Sequence, residues 1–261
     1  MLIFVFLKGK TMIAVNHLAE KPKNYGYSLS SDCHDTDGEG FLRPSSVLRY
    51  MQTAANLQLH HCGPTNEELR ERGQAFVLTR IALEFFQPIA AYEELYAQTW
   101  GLESRGFSFG RCYRLSKGTQ TVARAQSVWA LLNIKDKKPL PVSAFEAGFG
   151  TDAPFEKPLP LRMRMPHDEY FREIGQHHVS YAETDINRHM NNTCYPDMLV
   201  DFLPLAGKRV SSMTLNFCRE APSGELLTVH RAEVDGRYFF RTYRQDGLVN
   251  IEASVDLVPI S

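Results

Sequence analysis

The sequence has no pair of cysteines at metal-binding spacing, no apolar run long enough to cross a bilayer, and no excess of charge. Its five cysteines (Cys33, Cys62, Cys112, Cys194 and Cys218) are odd in number and scattered, with no Cys-x-x-Cys. That speaks for free thiols in a reducing compartment, against a disulfide scaffold and against a zinc knuckle. Lys+Arg number 29 and Asp+Glu 30, a formal charge of -1, so a bulk grip on nucleic acid is not indicated. The apolar residues 1–7 are too few for a span, follow no basic segment and precede no small-residue cleavage site. They read as a tail, or as an over-extended start with Met12 the true initiator. A cytoplasmic chain without a membrane span is expected.

What is present is an ordinary globular composition, 43% hydrophobic and 23% charged over 261 residues. That length holds one large core or two small ones.

The two halves echo each other. Asp35, Asp37, Glu39, Phe41 and Arg43 precede one helical pattern; Glu183, Asp185, Asn187, His189 and Asn191 precede another, 148 positions on (185 − 37). Residues 81–85 echo 213–217, and 122–128 echo 249–255, in the same order. Shared order is harder to obtain by chance than any one match. Each half starts with a short strand, at 25–31 or 176–181. A polar turn then leads into one long helix. The first helix starts near Arg43 and Pro44, with Val47, Leu48, Met51, Ala54, Ala55 and Leu57 on its apolar face. The second is expected to be capped by Asn191 or Asn192, to present Tyr195, Met198, Leu199, Phe202 and Leu203, and to end at Pro204 and Gly207.

Alternating stretches follow as strands: 75–86, 94–102, 108–116 and 121–134, then 210–219, 226–234, 238–245 and 249–258. A helix followed by antiparallel strands must lie on one face of the sheet to bury its stripe. The expected fold is α+β, a tandem (double) hotdog of two antiparallel sheets, each wrapped around one long helix. The division read from the sequence is a tail at 1–20, a first hotdog at 21–134, a proline-rich linker at 135–165 and a second hotdog at 166–261.

The segment richest in chemistry is Asp-x-Asn-x-His (Asp185, Asn187, His189). In an extended chain alternate side chains share one side, so the three converge unless a turn intervenes. The helix start behind them, near Asn191 and Asn192, offers free N–H groups and a positive dipole end to an oxyanion. Glu220, after the strand that follows, is placed to act as a general base on water. The same motif also fits plain turn and cap chemistry. In the first half Glu39 and Phe41 stand for Asn187 and His189, and Glu220 aligns near Pro88. The frame recurs without the chemistry, as one active and one non-catalytic half require.

From about residue 25 to 259 the chain resembles the acyl-acyl carrier protein thioesterases of plant plastids and bacteria. The likeness is carried by Leu78, Thr79 and Arg80; by Thr99 and Trp100; by Arg124, Ala125, Ser127, Val128 and Trp129; and by Asn133. In the second half it is carried by Asp185, Asn187, His189, Asn191 and Asn192, then by residues 212–215 and Arg219 with Glu220. The resemblance implies hydrolysis of fatty acyl-acyl carrier protein in fatty acid biosynthesis, no cofactor and no metal. It implies an acyl chain held mainly by the first half, and Asp185, Asn187, His189 and Glu220 as catalytic residues. It also implies an acidic carrier protein as partner, with Arg188, Arg209 and Arg219 as docking candidates, and allows a homodimer. Plant members often carry Cys directly after the Glu; here Ala221 stands there, which excludes a cysteine nucleophile at that position. Cys218 and Cys194 read as small hydrophobes.

Three other readings stay open. One is a hotdog thioesterase acting on acyl-CoA, and another is a non-catalytic acyl-binding hotdog. The third is a hotdog dehydratase, which lacks support because the matching first-half position has no second His motif. His177 and His178 read as structural or exposed.

Overall fold

The computed structural model describes residues 21–260. The tail expected at 1–20, its apolar run and the choice between Met1 and Met12 lie outside them. The first half runs β1 (Asn24–Ser30), α1 (Pro44–Cys62), α2 (Asn66–Glu71), β2 (Gln74–Phe85), β3 (Glu94–Gly101), β4 (Phe109–Lys117) and β5 (Gln120–Asn133). A two-residue strand β6 (Pro139–Leu140) follows. The second half runs β7 (Arg172–His178), α3 (Tyr195–Val200), β8 (Lys208–Phe217), β9 (Leu226–Val234), β10 (Arg237–Tyr243) and β11 (Val249–Pro259).

α1 starts on Pro44, whose missing N–H is one of the donors a helix start leaves unused anyway. Gly63, at φ 56°, closes it by donating its N–H to Leu59 O at 2.8 Å. Val47, Leu48, Met51, Ala54, Gln58 and Leu59 are buried against the sheet. Ala55 and Leu57, expected in that stripe, are half-buried; Gln58 and Leu59 take their place. Complete burial of Leu48 or Met51 contributes roughly 1.5–3 kcal/mol each.

The halves are joined through their sheets. The strand order is β1-β3-β4-β5-β2-β8-β11-β10-β9-β7, one continuous sheet rather than two separate ones. The second five strands repeat the first five in reverse order, as a two-fold axis requires. β2 and β8 pair antiparallel, with Ile81 opposite Leu215, Ala82 opposite Thr214 and Leu83 opposite Met213. Ala82 and Thr214 are each other's counterparts in the repeat, so the pseudo-two-fold passes through that pair. Each half thus covers the other's inner edge strand, which removes two exposed edges.

The second helix differs from expectation. α3 has six residues, and Asn191 and Asn192 do not cap it. Asn191 Oδ1 instead accepts from Thr193 N–H (2.9 Å) and Oγ1 (2.8 Å), holding residues 192–194 in a turn. Side chains that bond nearby backbone in this way compete with the helix. Past Val200 the chain turns again through Asp201 and Phe202, although Phe202 and Leu203 still pack on the core.

Residues 135–165 are a packed strap, not loose chain. β6 pairs with β5, and Thr151 bridges to Gly101. Phe149, Phe155 and Leu159 are buried, and Trp100 Nε1 donates to Ala153 O at 2.8 Å. Gly148 lies so close to the end of α1 that a Cβ there would meet Cys62 O at 1.5 Å. Among the described residues no helix is long and apolar enough to cross a membrane.

Candidate active site

The Asp-x-Asn-x-His segment is folded by its own polar atoms. A turn intervenes, so simple alternation does not hold. Thr184 bridges to Met190, Asp185 N–H donates to His189 O (3.0 Å) and Arg188 N–H to Asp185 O (2.8 Å). Asp185 Oδ1 accepts from Asn187 N–H at 2.8 Å. Arg188 sits at φ 65°, a conformation few non-glycine residues adopt. The loop's base is fixed by Glu183, which caps Ser180 and pairs with His177 at 2.8 Å. Burial opposes its charge, but the Ser180 backbone and hydroxyl bonds and His177 hold the Glu183 carboxyl below the usual range. His177 is therefore structural, and His178 is exposed.

Met190 N–H donates to Ala221 O at 2.8 Å, which draws the loop beside the segment after β8. That contact brings two of the four expected catalytic side chains together. His189 Nε2 lies 3.0 Å from Glu220 Oε2. Lys137 Nζ lies 2.7 Å from the same oxygen, and Arg244 Nη1 donates to the Glu220 backbone carbonyl at 3.1 Å. Asn187 turns elsewhere: its Oδ1 accepts from Arg70 Nη2 at 2.7 Å. Asp185 shapes the turn and makes no side-chain bond to His189 or Glu220 among the described residues. The Asn192 N–H likewise has no partner among them, so one donor stands free ahead of α3.

The halves meet here, because Arg70 comes from the first half, Lys137 from the strap that follows it, and Asn187, His189 and Glu220 from the second half. Sequence reading missed Arg70 and Lys137. The helix bearing Arg70 was legible in its capping box, Thr65 with Glu68. Nothing local marks Lys137, which needs the fold to reach Glu220.

Both family models for this chemistry match, and their descriptions are specific. Residues 23–144 match the acyl-ACP thioesterase N-terminal domain, and residues 167–252 the acyl-ACP thioesterase C-terminal domain.

The chain belongs to the acyl-ACP thioesterase family.

It is a thioester hydrolase that cleaves fatty acyl-ACP. Its fold is that of an acyl-ACP thioesterase from Bacteroides thetaiotaomicron, at 21% identity and TM-score 0.79, over 90% of this chain and 98% of that one. A putative oleoyl thioesterase from Lactobacillus plantarum gives 18% and 0.75, over 92% and 98%. The 12:0-ACP thioesterase from Umbellularia californica gives 14% and 0.75, over 90% and 97%. No curated protein matches the chain by sequence.

Two features of the thioesterase depart from the expected site. Two clefts of about 320 Å³ each do not open on His189 or Glu220. One is lined by Trp100, Arg114 and Phe155, the other by Cys62, Pro64, Glu68 and Ala147. Arg209 is removed from the docking candidates: at the far end of β8 it donates to Phe85 O and Phe86 O, both at 3.3 Å. Arg188 and Arg219 are exposed, on the loop and beside Glu220. Cys218 takes no part in the cluster. Its Sγ contacts Asn216, and desolvation, then the Glu252 carboxylate, push its thiol up.

Proposed function

We propose that this enzyme hydrolyses acyl-ACP by direct attack of water, with the second half (166–261) catalytic and the first (21–134) holding the acyl chain. The observation that carries the reading is the 3.0 Å contact between His189 and Glu220. Glu220 takes a proton from water as its oxygen bonds the thioester carbon. The oxyanion accepts from the Asn192 N–H, aided by the positive field of nearby cations. The C–S bond then breaks, and His189 passes a proton to the leaving thiolate. Asn187, steadied by Arg70, orients the thioester, and Asp185 keeps the turn that presents both His189 and Asn187.

The carrier protein is acidic, and the rim of this site is basic. Arg70, Lys137, Arg188 and Arg219 are all exposed around it. Ile186, 79% exposed at the tip of the loop, gives the same surface an apolar contact. A rim of this kind steers an acidic partner and speeds encounter.

The test is thiol release across acyl-carrier substrates of varied length and saturation, beside the matching acyl-CoA series. Turnover of carrier substrates above CoA substrates, falling with added salt, is the expected result. Equal turnover of both would remove the carrier surface from the account. Tight binding without thiol release would favour a non-catalytic acyl-binding protein.

A further inference from the structure

β4 carries an arginine on the face that packs toward α1. Arg111 alternates there with Tyr113 and Leu115, both fully buried. Its Nη1 donates to Gln58 Oε1 at 2.6 Å and to Thr99 Oγ1 at 3.1 Å. The guanidinium lies 5.3 Å from the centroid of Phe149. No carboxylate pairs with it among the described residues, and burial pulls it below the ordinary guanidinium value. Gln58 is fully buried, and its Nε2 has no partner. Arg111 Nη2 and Nε make no bond to the described residues and, unlike Gln58 Nε2, keep some solvent contact. Every unfilled position is a donor, and the local charge is positive. The group that completes the cluster is therefore an acceptor, and a carboxylate meets both requirements.

Packed apolar side chains lie between this point and the active site. Leu69, next to Arg70 on α2, packs with Leu59 and Phe149. Phe76, Phe109 and Phe145 lie beside them, edge to face at 5.0–5.7 Å. Cys62 and Ala147 belong both to this cluster and to the second cleft. Gln74 pairs with Asn133, just before the turn that carries Lys137, while Arg111 pairs with Ser127. The six residue steps along β5 from Ser127 to Asn133 span about 20 Å. That is the reach of an extended fatty chain.

We propose that Arg111 and Gln58 bind a carboxylate at the far end of the acyl chain, so that thioesters of long-chain dicarboxylic acids are substrates. The inference rests on the proposed placement of the acyl chain in the first half. A free fatty acid entering carboxylate first would offer the same chemistry, so the experiment separates the two sources.

Thiol release is measured from two carrier-bound acyl chains of matched length, one ending in a methyl group and one in a carboxylate. The wild type should favour the carboxylate-ended chain in kcat/KM by about tenfold or more, the size of a charge-assisted hydrogen bond. R111M should bring that ratio to one or below, and Q58L should lower it. A wild-type ratio of one or less, or a ratio unmoved by R111M, overturns the proposal; if R111M does not fold, Q58L decides. If neither thioester is cleaved, the thioesterase reading fails separately. Thermal stabilisation by the free dicarboxylic acid, lost in R111M, would then still support the Arg111 site, and its absence would sink it. Equal Arg111-dependent stabilisation by a plain fatty acid would assign the site to the free acid and overturn the distal-carboxylate assignment.

Discussion

The loop before α1 and the loop before α3 agree almost bond for bond. Asp37 N–H donates to Phe41 O as Asp185 N–H does to His189 O. Asp37 Oδ1 accepts from Glu39 N–H as Asp185 Oδ1 does from Asn187 N–H. Leu42 N–H reaches Ile89 O as Met190 N–H reaches Ala221 O. Gly40, at φ 82°, stands where Arg188 holds φ 65°. By this correspondence Phe41 matches His189, Glu39 matches Asn187 and Pro88 matches Glu220. The turn is a property of the Asp and the backbone. The proposed chemistry is a property of what hangs from that frame, and its Asn, His and Glu occur at these positions only in the second half.

The sharpest way to break the comparison is to remove the groups the first half lacks. E220A should lower turnover by roughly 10²–10⁴-fold with Tm little changed, since general acid–base assistance is of that size and Glu220 is substantially exposed. E39A, at the position matching Asn187, should leave turnover within about twofold, as surface changes usually do. Near-wild-type turnover in folded E220A would remove that carboxylate from the mechanism.

A smaller effect separates frame from chemistry. D185A and D37A delete the same turn bond in the two halves. Each should cost about 1 kcal/mol of stability, measured by denaturant unfolding. Only D185A should also reduce kcat, by about tenfold or more, because the turn it loosens carries His189. Equal kinetic losses in both would mean that the first loop also serves the site.

The carboxylates at the loop bases differ too. Asp35 accepts from Tyr50 Oη at 2.6 Å, whereas Glu183 pairs with His177. Glu183 has a depressed folded-state pKa, so its contribution is fully present above the unfolded value, near 4.3. It is lost as pH falls through the lower folded value. E183Q should therefore be less stable than wild type at pH 7, by about 1 kcal/mol. The gap should close on acidification below about pH 4. A gap that stays constant from pH 7 to pH 3 would refute the ionic origin.

Much of the frame was legible because it is local. Pro44 marks the start of α1, the period-two stretches mark the strands, and the Asp37 and Asp185 echoes mark the turns. The length of α3 was not, because the Asn191 side chain captures Thr193 and the helix yields to that turn. Nor was the continuous sheet, since β2–β8 pairing joins residues more than a hundred positions apart. At the site, Asp185, Asn187, His189 and Glu220 were legible as residue types. Their division of labour was not: only His189 and Glu220 touch, Asn187 faces Arg70, and Lys137 arrives from the strap.

Cys218 offers the smallest expected effect and a clean test of the same correspondence. It follows β8 as Phe86 follows β2, and the two make matching backbone bonds: Cys218 N–H to Asn250 O and Phe86 N–H to Val122 O, both at 2.9 Å. Both side chains are exposed past the strand end, so the position is a surface one and not the buried site expected for Cys218. Its thiol is pushed up, which leaves little thiolate near neutral pH. Among the described residues neither His189 nor Glu220 contacts it. C218A should therefore keep kcat/KM within about twofold and resist thiol alkylation without loss of activity. A folded but inactive C218A would put a nucleophile at this end of the strand, and the two halves would then differ by a covalent step rather than by a base.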